Sequence, residues 1–170
     1  KCEIGQHVGT ALAQAVAEEL EINWDDVNVI YPDSDAKWGL MITGGSWSVN
    51  WTFDRNSRIG ASARIALVEA GAKMMNASVN DCYAKNSVVY SNSGSSVTYK
   101  DILSTNTIDR TFSEEEMKAI KLKSFGEYDV VGKSKVPFDL PSKLDGSAKY
   151  GIDVFVPNMV YGIPLINPTR

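Results

Sequence analysis

Two stretches of the sequence repeat apolar residues at the spacing of an amphipathic helix. The first is Gly5–Leu20, where apolar side chains recur every four positions at Val8, Leu12, Val16 and Leu20. The second runs roughly from Asn56 to Met75 and is marked by Ile59, Ala63, Ala66, Leu67, Ala70 and Met74. This spacing predicts two helices, each with one apolar face. Because small side chains allow close approach, the alanines of the second helix predict tight packing against another element.

Between the two helices, the stretch "VNVIY" from Val27 to Tyr31 has the β-branched content and partial alternation of a strand. Residues 32–48 read as a long loop that ends in "TGGSWS". We therefore expect the apolar faces of both helices to pack on a sheet that contains Val27–Tyr31.

Shorter elements are predicted after Asn76. The stretches "DCYAKN" and "SVVYSN" have the pattern of a hairpin, and "SGSSVTYKDIL" that of a strand leading into a short helix. Ser113 and Glu116 have the spacing of a capping box, which predicts that "SEEEMKAIKL" begins a further helix.

The C-terminal part of the sequence contains more helix-breaking and strand-breaking residues. Residues 125–142 are predicted to be a connector, since they contain the breakers Gly126, Gly132, Pro137 and Pro141. A new module is expected from Lys143, with a turn at Asp145-Gly146 followed by the strand-like stretches "KYGIDVFV" and "MVYGIPL". Because the second apolar stretch stands so near the last residue, we expect the chain to be a piece of a longer one.

Composition excludes some classes of function. The net charge is −4 and the lysines are scattered, so the sequence lacks a basic stripe for nucleic acid. With 44% hydrophobic and 22% charged residues, and with apolar runs far shorter than the ~20 residues of a membrane span, a soluble globular segment is expected. The compartment is not readable, and bacterial cytoplasm and periplasm both stay open.

Standard catalytic and metal motifs do not fit. Ser46 in "GGSWS" is not a hydrolase nucleophile, because that motif needs glycine where Ser48 stands. A single histidine, His7, and two distant cysteines, Cys2 and Cys82, do not make a zinc or iron-sulfur ligand set. The cysteines are expected to be free and partly buried. "GQHVGT" lacks the residues of a phosphate-binding P-loop and of the dinucleotide fingerprint.

Two glycine-containing corners are compatible with a ligand site. Gly5 stands where a helix begins, and open backbone N–H groups there favour an anion such as a phosphate. In "TGGS" the glycines allow close backbone approach, and Thr43, Ser46 and Ser48 supply hydroxyls. Either corner alone is more often only a turn.

Taken together, the segments "CEIGQHVGTALAQAVAEEL", "ITGGSWSV" and "ARIALVEAGAKMM" resemble the molybdopterin-binding part of the xanthine dehydrogenase and aldehyde oxidase family. Their order is similar to that in the branch typified by the large chain of isoquinoline oxidoreductase. The stretch "VVGKSKVPFDLPSKLDGSAKYGIDVFVPNMVYG" resembles the opening of that family's hammerhead domain. The likeness is weakest between Cys82 and Phe125.

The resemblance implies a set of cofactor-binding residues, with Gln6 bonding the cofactor through its amide. The whole set is Ile4, Gly5, Gln6, Gly44, Gly45, Ser46 and Ser48. Where the family's motif has its second glycine, this sequence has His7, which puts a ring where the backbone would approach the ligand. A bond from His7 to a phosphate and a purely structural role both stay open.

The resemblance also implies an architecture and an activity. The fold is expected to be α+β, with helices on a mixed sheet: residues 1–124 as part of the molybdopterin-binding domain, 125–142 as a connector, and 143–170 as the start of a hammerhead domain. The family hydroxylates aldehydes or N-heterocycles with water as the oxygen source. It uses molybdopterin, together with iron-sulfur clusters on a small partner subunit. Whether the pterin is in its cytosine dinucleotide form is left open by the resemblance.

The sequence lacks the glycine-rich motif that carries the family's glutamate base. No catalytic residue and no metal ligand is therefore predicted, and the chain by itself is expected to be inactive without the remainder of the large subunit. The alternative is a non-catalytic α+β binding or assembly domain whose likeness to the family is at the level of the fold.

Overall fold

The computed structural model describes residues 1–105 and 108–169, which form two units, Lys1–Phe138 and a second unit from Asp139 onward. The helices and strands are α1 Val8–Leu20, α2 Trp47–Met74, β1 Cys82–Lys85, β2 Val88–Ser91, β3 Ser96–Thr98, α3 Tyr99–Thr105, α4 Glu114–Ala119 and α5 Leu140–Leu144. The predicted α+β class is confirmed.

Both predicted long helices form, but their first residues differ from the prediction. α1 begins at Val8 rather than Gly5, because Gly5 (φ 101°) and His7 (φ 58°) adopt left-handed backbone conformations. α2 begins at Trp47, well before the predicted Asn56, so Ser48 belongs to its first turn and not to the loop. In the early turns of α2 the apolar residues Trp47, Val49, Trp51 and Phe53 stand at every second position, which does not mark one helical face.

α1 and α2 pack closely, as the small residues of α2 predict. Ala61 is fully buried, Ser57 is 3% exposed, and Gly60 lies against the backbone of Val16. A glycine in the interior of a helix costs roughly 0.5–1 kcal/mol relative to alanine. Its place here is explained by the close approach of the two backbones.

The sheet is a three-stranded antiparallel meander in the order β1-β2-β3. The predicted hairpin is confirmed, with Ala84 opposite Val89 and a tight turn at Asn86 and Ser87, both at positive φ. The prediction of a mixed sheet is wrong, since the strands described here all pair antiparallel. A core of Leu67, Val89, Tyr99 and Ile102 joins α2, the sheet and α3.

The predicted strand Val27–Tyr31 does not form within the described residues, which corrects the expected packing. α2 packs on the sheet built from residues 82–98 instead. The stretch 27–31 lies beside α1, and Val29 and Tyr31 both approach Gly9. A strand requires a hydrogen-bonding neighbour, and no strand of the described residues pairs with this stretch.

The predicted capping box is confirmed at α4. The Ser113 hydroxyl accepts a hydrogen bond from the Glu116 N–H at 3.2 Å, and the Glu116 carboxylate accepts one from the Ser113 N–H at 2.8 Å. At the other end of α4, the Arg58 guanidinium donates to the carbonyls of Met117, Lys118 and Ile120. Arg58 thus ties α4 to α2.

A polar stripe on α1, made of Thr10, Gln14 and Glu18, holds the stretch 129–138. The Thr10 hydroxyl accepts from the Phe138 N–H at 3.1 Å. The Gln14 amide donates to the carbonyls of Val130 and Lys133, both at 2.9 Å. Because these residues stand four positions apart, they share one face of the helix. Much of the predicted connector is therefore fixed in place along α1.

The second unit contains α5 and, after it, a stretch in which the described residues form no strand. The predicted strands "KYGIDVFV" and "MVYGIPL" are therefore wrong for this chain. Their apolar side chains are largely exposed, Val160 and Ile163 by 88% and 89%. A sheet requires strands that pair with each other, and these two stretches do not pair.

The two cysteines are free, as expected, but only Cys82 is partly buried. Cys2 is exposed, so the expectation of partial burial is wrong for it. Cys2 lies in the N-terminal segment and not in the core. Its N–H contacts the loop before α2.

Candidate functional site

The N-terminal segment and the loop before α2 are joined by hydrogen bonds. The Lys1 ammonium donates to the Ile42 carbonyl at 2.9 Å. The Thr43 hydroxyl accepts from the Cys2 N–H at 2.7 Å and donates to the Cys2 carbonyl at 3.1 Å. Two segments that are about 40 residues apart in the sequence thus lie side by side.

A cavity of about 320 Å³ opens where these two segments meet. Its lining is Ile4, Gln6, Val8, Ala11, Thr43, Gly44, Ser46, Ser48 and Val49. Five of the seven residues predicted to bind a cofactor lie on this one surface, and Gly5 and Gly45 are outside the lining. The structure therefore brings Gln6 and Ser46 to a shared cavity.

The Glu3 carboxylate organises the corner before α1. Its Oε1 accepts from the N–H groups of Gly5 at 2.7 Å and His7 at 2.9 Å. These are backbone donors of the kind expected to receive a phosphate. An external anion at this point would have to compete with the chain's own carboxylate. In the sequence, the position of Glu3 two and four residues before these donors was the signal for this role.

Gln6 also stabilises its own loop. Its Oε1 accepts from the Ile4 N–H at 2.7 Å, and its Nε2 donates to the Cys2 carbonyl at 3.2 Å. An amide has a second N–H and a second oxygen lone pair. Gln6 can therefore fix the loop and still offer a donor or an acceptor to a ligand in the cavity.

Ser46 and His7 have backbone conformations that normally favour glycine. Ser46 precedes α2 with φ 57° and His7 precedes α1 with φ 58°. The Ser46 hydroxyl does not cap the helix, although serine before a helix usually does so. Strained, uncapped positions of this kind cluster at ligand sites. At His7, where the resemblance implies a glycine in the family's motif, the backbone of this chain is left-handed.

A second group of polar residues lies at the other end of α1. The Glu18 carboxylate, 2% exposed, accepts from Lys123 Nζ at 2.7 Å and from the N–H groups of Asp129, Val130 and Val131. Lys123 also pairs with Glu21 at 2.6 Å. The Glu19 carboxylate accepts from the Lys123 N–H at 2.8 Å and pairs with Arg64 at 3.4 Å. Sequence reasoning missed this buried ionic cluster.

The two adjacent carboxyls of the cluster have pKa values shifted in opposite directions. Burial raises the pKa of Glu18, but the hydrogen bonds from Lys123 and the three backbone N–H groups outweigh it, so the net pKa is lowered. Burial raises the pKa of Glu19, and its fewer donors do not reverse that. Glu18 is thus a stably ionised anchor for the stretch 129–131.

Glu18 should make the stability of the chain depend on pH in the acid range. Because its folded pKa lies below the ordinary 4.5, the unfolded state binds the proton first as the pH falls, and stability is lost from about pH 4.5 downward. We expect the free energy of unfolding, measured in urea from pH 6 to 3, to fall more steeply than in Glu18→Gln. The difference should reach up to about 1.4 kcal/mol per pH unit. Part of the upward shift of the Glu19 pKa comes from the charge of Glu18, so Glu18→Gln also weakens the opposing contribution of Glu19 and makes the difference between the chains smaller. Equal slopes in the two chains would contradict the assignment.

Comparison with known families identifies the family of the chain. A model of the molybdopterin cofactor-binding domain matches residues 1–150. The chain belongs to this family. The match spans both segments that line the cavity, and it confirms the family resemblance that the sequence motifs indicate.

Three relatives of the chain are named as dehydrogenases or oxidoreductases. It is 42% identical, over its whole length, to a protein named membrane-bound aldehyde dehydrogenase [pyrroloquinoline-quinone] from Gluconacetobacter polyoxogenes. It is 28% identical over 98% of its length to the beta subunit of isoquinoline 1-oxidoreductase from Brevundimonas diminuta. A nicotinate dehydrogenase subunit from Pseudomonas putida is 24% identical over 94% of the chain.

The chain spans only part of these relatives: 22%, 26% and 13% of their lengths in the same order. Two of the three are named as subunits of larger enzymes. Among the helices that the structure describes, none combines the length and the apolar character needed to cross a membrane.

Proposed function

We propose that this molybdopterin-binding segment forms one wall of the cofactor site in a molybdenum-dependent oxidoreductase that hydroxylates an aldehyde or an N-heterocycle, with water as the oxygen source. The observation that carries the proposal is the cavity in which Ile4, Gln6, Gly44, Ser46 and Ser48 meet. The bound cofactor would supply the molybdenum centre at which the substrate is oxidised.

The donor set of the cavity fits a polar pterin. Gln6 offers an amide, and Ser46 and Ser48 offer hydroxyls, so the lining can both donate and accept hydrogen bonds. Gly44 leaves room for close approach, since nothing lies within 4 Å of the position a side chain would take. The role of these residues is to bind and orient the cofactor. We assign none of them as an acid or base.

The remaining cofactor residues are proposed to act through the backbone. Gly5 (φ 101°) and Gly45 (φ 62°) allow the sharp turns that bring Gln6 and Ser46 to the cavity. They shape the two segments without lining the cavity themselves.

The wider assembly is part of the same proposal. The remainder of a longer large subunit would close the cavity, and a small subunit with iron-sulfur clusters would accept the electrons. Residues 1–124, 125–142 and 143–170 would then be the cofactor-binding part, the connector and the start of a hammerhead domain. The cytosine dinucleotide form of the pterin is one candidate for the cofactor.

One relative's name specifies a different cofactor, pyrroloquinoline quinone. The two cofactors are distinguishable by analysis of the purified complete enzyme. Molybdenum and a pterin in equal amounts would support the proposed function. Pyrroloquinoline quinone without molybdenum would contradict it.

Removing polar groups from the cavity should lower cofactor content. In the complete enzyme, we expect Ser46→Gly and Gln6→Ala each to weaken retention of molybdenum about tenfold to a hundredfold, because a buried group left unpaired costs about 1–3 kcal/mol. Ser46→Gly is the cleaner variant, since glycine suits the left-handed backbone and the hydroxyl does not cap α2. The measurement is molybdenum per polypeptide, together with a melting curve.

The control is Ser62→Ala, which removes from α2 a hydroxyl that donates only to the Ile59 carbonyl of the same helix and does not line the cavity. It should retain molybdenum like the parent enzyme. Full molybdenum content in both Ser46→Gly and Gln6→Ala would show that the cofactor does not contact this cavity.

A further inference from the structure

Residues 27–30 have the burial pattern of a strand, although Asn28, Val29 and Ile30 pair with no strand of the described chain. Val27 and Val29 are half-buried towards α1, whereas Asn28 is exposed and Ile30 is 79% exposed. This alternation with a period of two is that of a β-strand with one covered face. Val29 lies close to Gly9, which has no side chain to hold it away.

The backbone of this stretch is open. The N–H and C=O groups of Asn28, Val29 and Ile30 make no hydrogen bond to any part of the chain that the structure describes. Strand-forming residues with unpaired backbone groups are a template for another strand.

An apolar groove runs beside the open backbone. A cavity of about 570 Å³ lies between this stretch and α1, and its walls include Leu12, Val16, Leu20 and Val27. A strand added next to residues 27–31 would place every second side chain over this groove. Pairing would therefore satisfy the open backbone and cover the apolar wall at the same time.

We propose that the extended stretch Val27–Tyr31 becomes a strand by pairing with a β-strand from the remainder of a longer polypeptide. We choose this partner because the chain spans only 22% and 26% of two of its relatives, so that a complete polypeptide of their length has much further chain to supply a strand. The inference rests on the proposed function only in that the longer polypeptide is the proposed enzyme subunit.

The chemistry of the incoming strand follows from its surroundings. Apolar residues at alternate positions suit the groove. Exposed aspartates stand at both ends of the stretch, Asp25 before it and Asp33 after it, so lysine or arginine near the ends of the incoming strand would be favoured.

Strand geometry gives the proposal a specific signature. In a strand, the N–H groups of successive residues point to opposite edges. Asn28 and Ile30 therefore face one edge, and Val29 faces the other. A single added strand protects one of these two sets from hydrogen exchange, and strands on both sides protect all three.

The test is residue-resolved hydrogen exchange on the complete polypeptide. Val89, fully buried on the central strand, is the paired reference, and Ser34, on the exposed loop, is the unpaired one. We expect at least one of the two sets to exchange about 1,000-fold more slowly than Ser34. Exchange of all three amides at the rate of Ser34 would overturn the proposal.

Two further measurements fix the occupant and separate this proposal from that of function. Protection that is lost on dilution to a monomer would identify a second copy as the partner and overturn the choice of occupant. Protection that persists at all concentrations supports it. Cofactor analysis of the same sample tests the function independently: protection without molybdenum or pterin would sustain the strand and refute the function.

Discussion

Replacing Lys123 by methionine is expected to lower the free energy of unfolding by about 3–5 kcal/mol, the usual cost of removing one partner from a buried ion pair. The Lys123 side chain is 14% exposed and its ammonium lies 2.7 Å from Glu18 and 2.6 Å from Glu21. Methionine fills a similar volume but leaves two carboxylates without their shared cation. The measurement is equilibrium unfolding in urea near neutral pH.

The matched control is Lys121→Met, which removes an exposed lysine two positions earlier. Because surface charges contribute little, it should change stability by at most about 0.5 kcal/mol. If both variants were equally stable, the cluster around Glu18 would be solvated rather than buried, and the lowered pKa of Glu18 would need another cause.

Replacing Gly60 by alanine is the second large effect that we expect, a loss of about 1–3 kcal/mol from overpacking. A methyl group there would overlap the carbonyl oxygen of Val16 and lie 3.1 Å from its carbonyl carbon. Helix propensity alone favours alanine by about 0.5–1 kcal/mol, so the sign of the result decides between propensity and packing. Chemical denaturation reports it.

Two other glycines complete the series. Gly71→Ala should have a smaller effect, since its added methyl meets side-chain atoms of Val89 at 3.0 Å rather than a backbone. Gly126→Ala should be close to neutral, because nothing lies within 4 Å of the added methyl. A Gly60→Ala chain at least as stable as the parent would mean that α1 and α2 separate readily.

The sequence predicted those elements whose determinants are local. The capping box at Ser113 and Glu116 is complete within four residues, and the hairpin of β1 and β2 pairs residues close together in the sequence. Strands that need distant partners were predicted wrongly: Val27–Tyr31 and the two stretches after Lys143 have suitable residues but no neighbour within the described chain.

The cofactor-binding role of the candidate site stays a prediction. Family motifs pointed to Gln6 and Ser46, and the structure places both on one cavity. The role of Glu3 in holding the corner was not predicted, because a carboxylate that accepts from its own loop has no distinctive pattern. Glu18 was missed for a similar reason. An acid on a helix normally faces water, and the donors that bury this one come more than 100 residues later.

The polar stripe of Thr10, Gln14 and Glu18 contacts the stretch 129–138 almost entirely through main-chain N–H and C=O groups. Such bonds depend on the course of the backbone and not on the identity of the side chains it carries. α1 therefore fixes the path of this stretch without specifying its sequence. Proline at position 130 or 131 would remove an N–H that donates to Glu18, whereas any other residue keeps that bond.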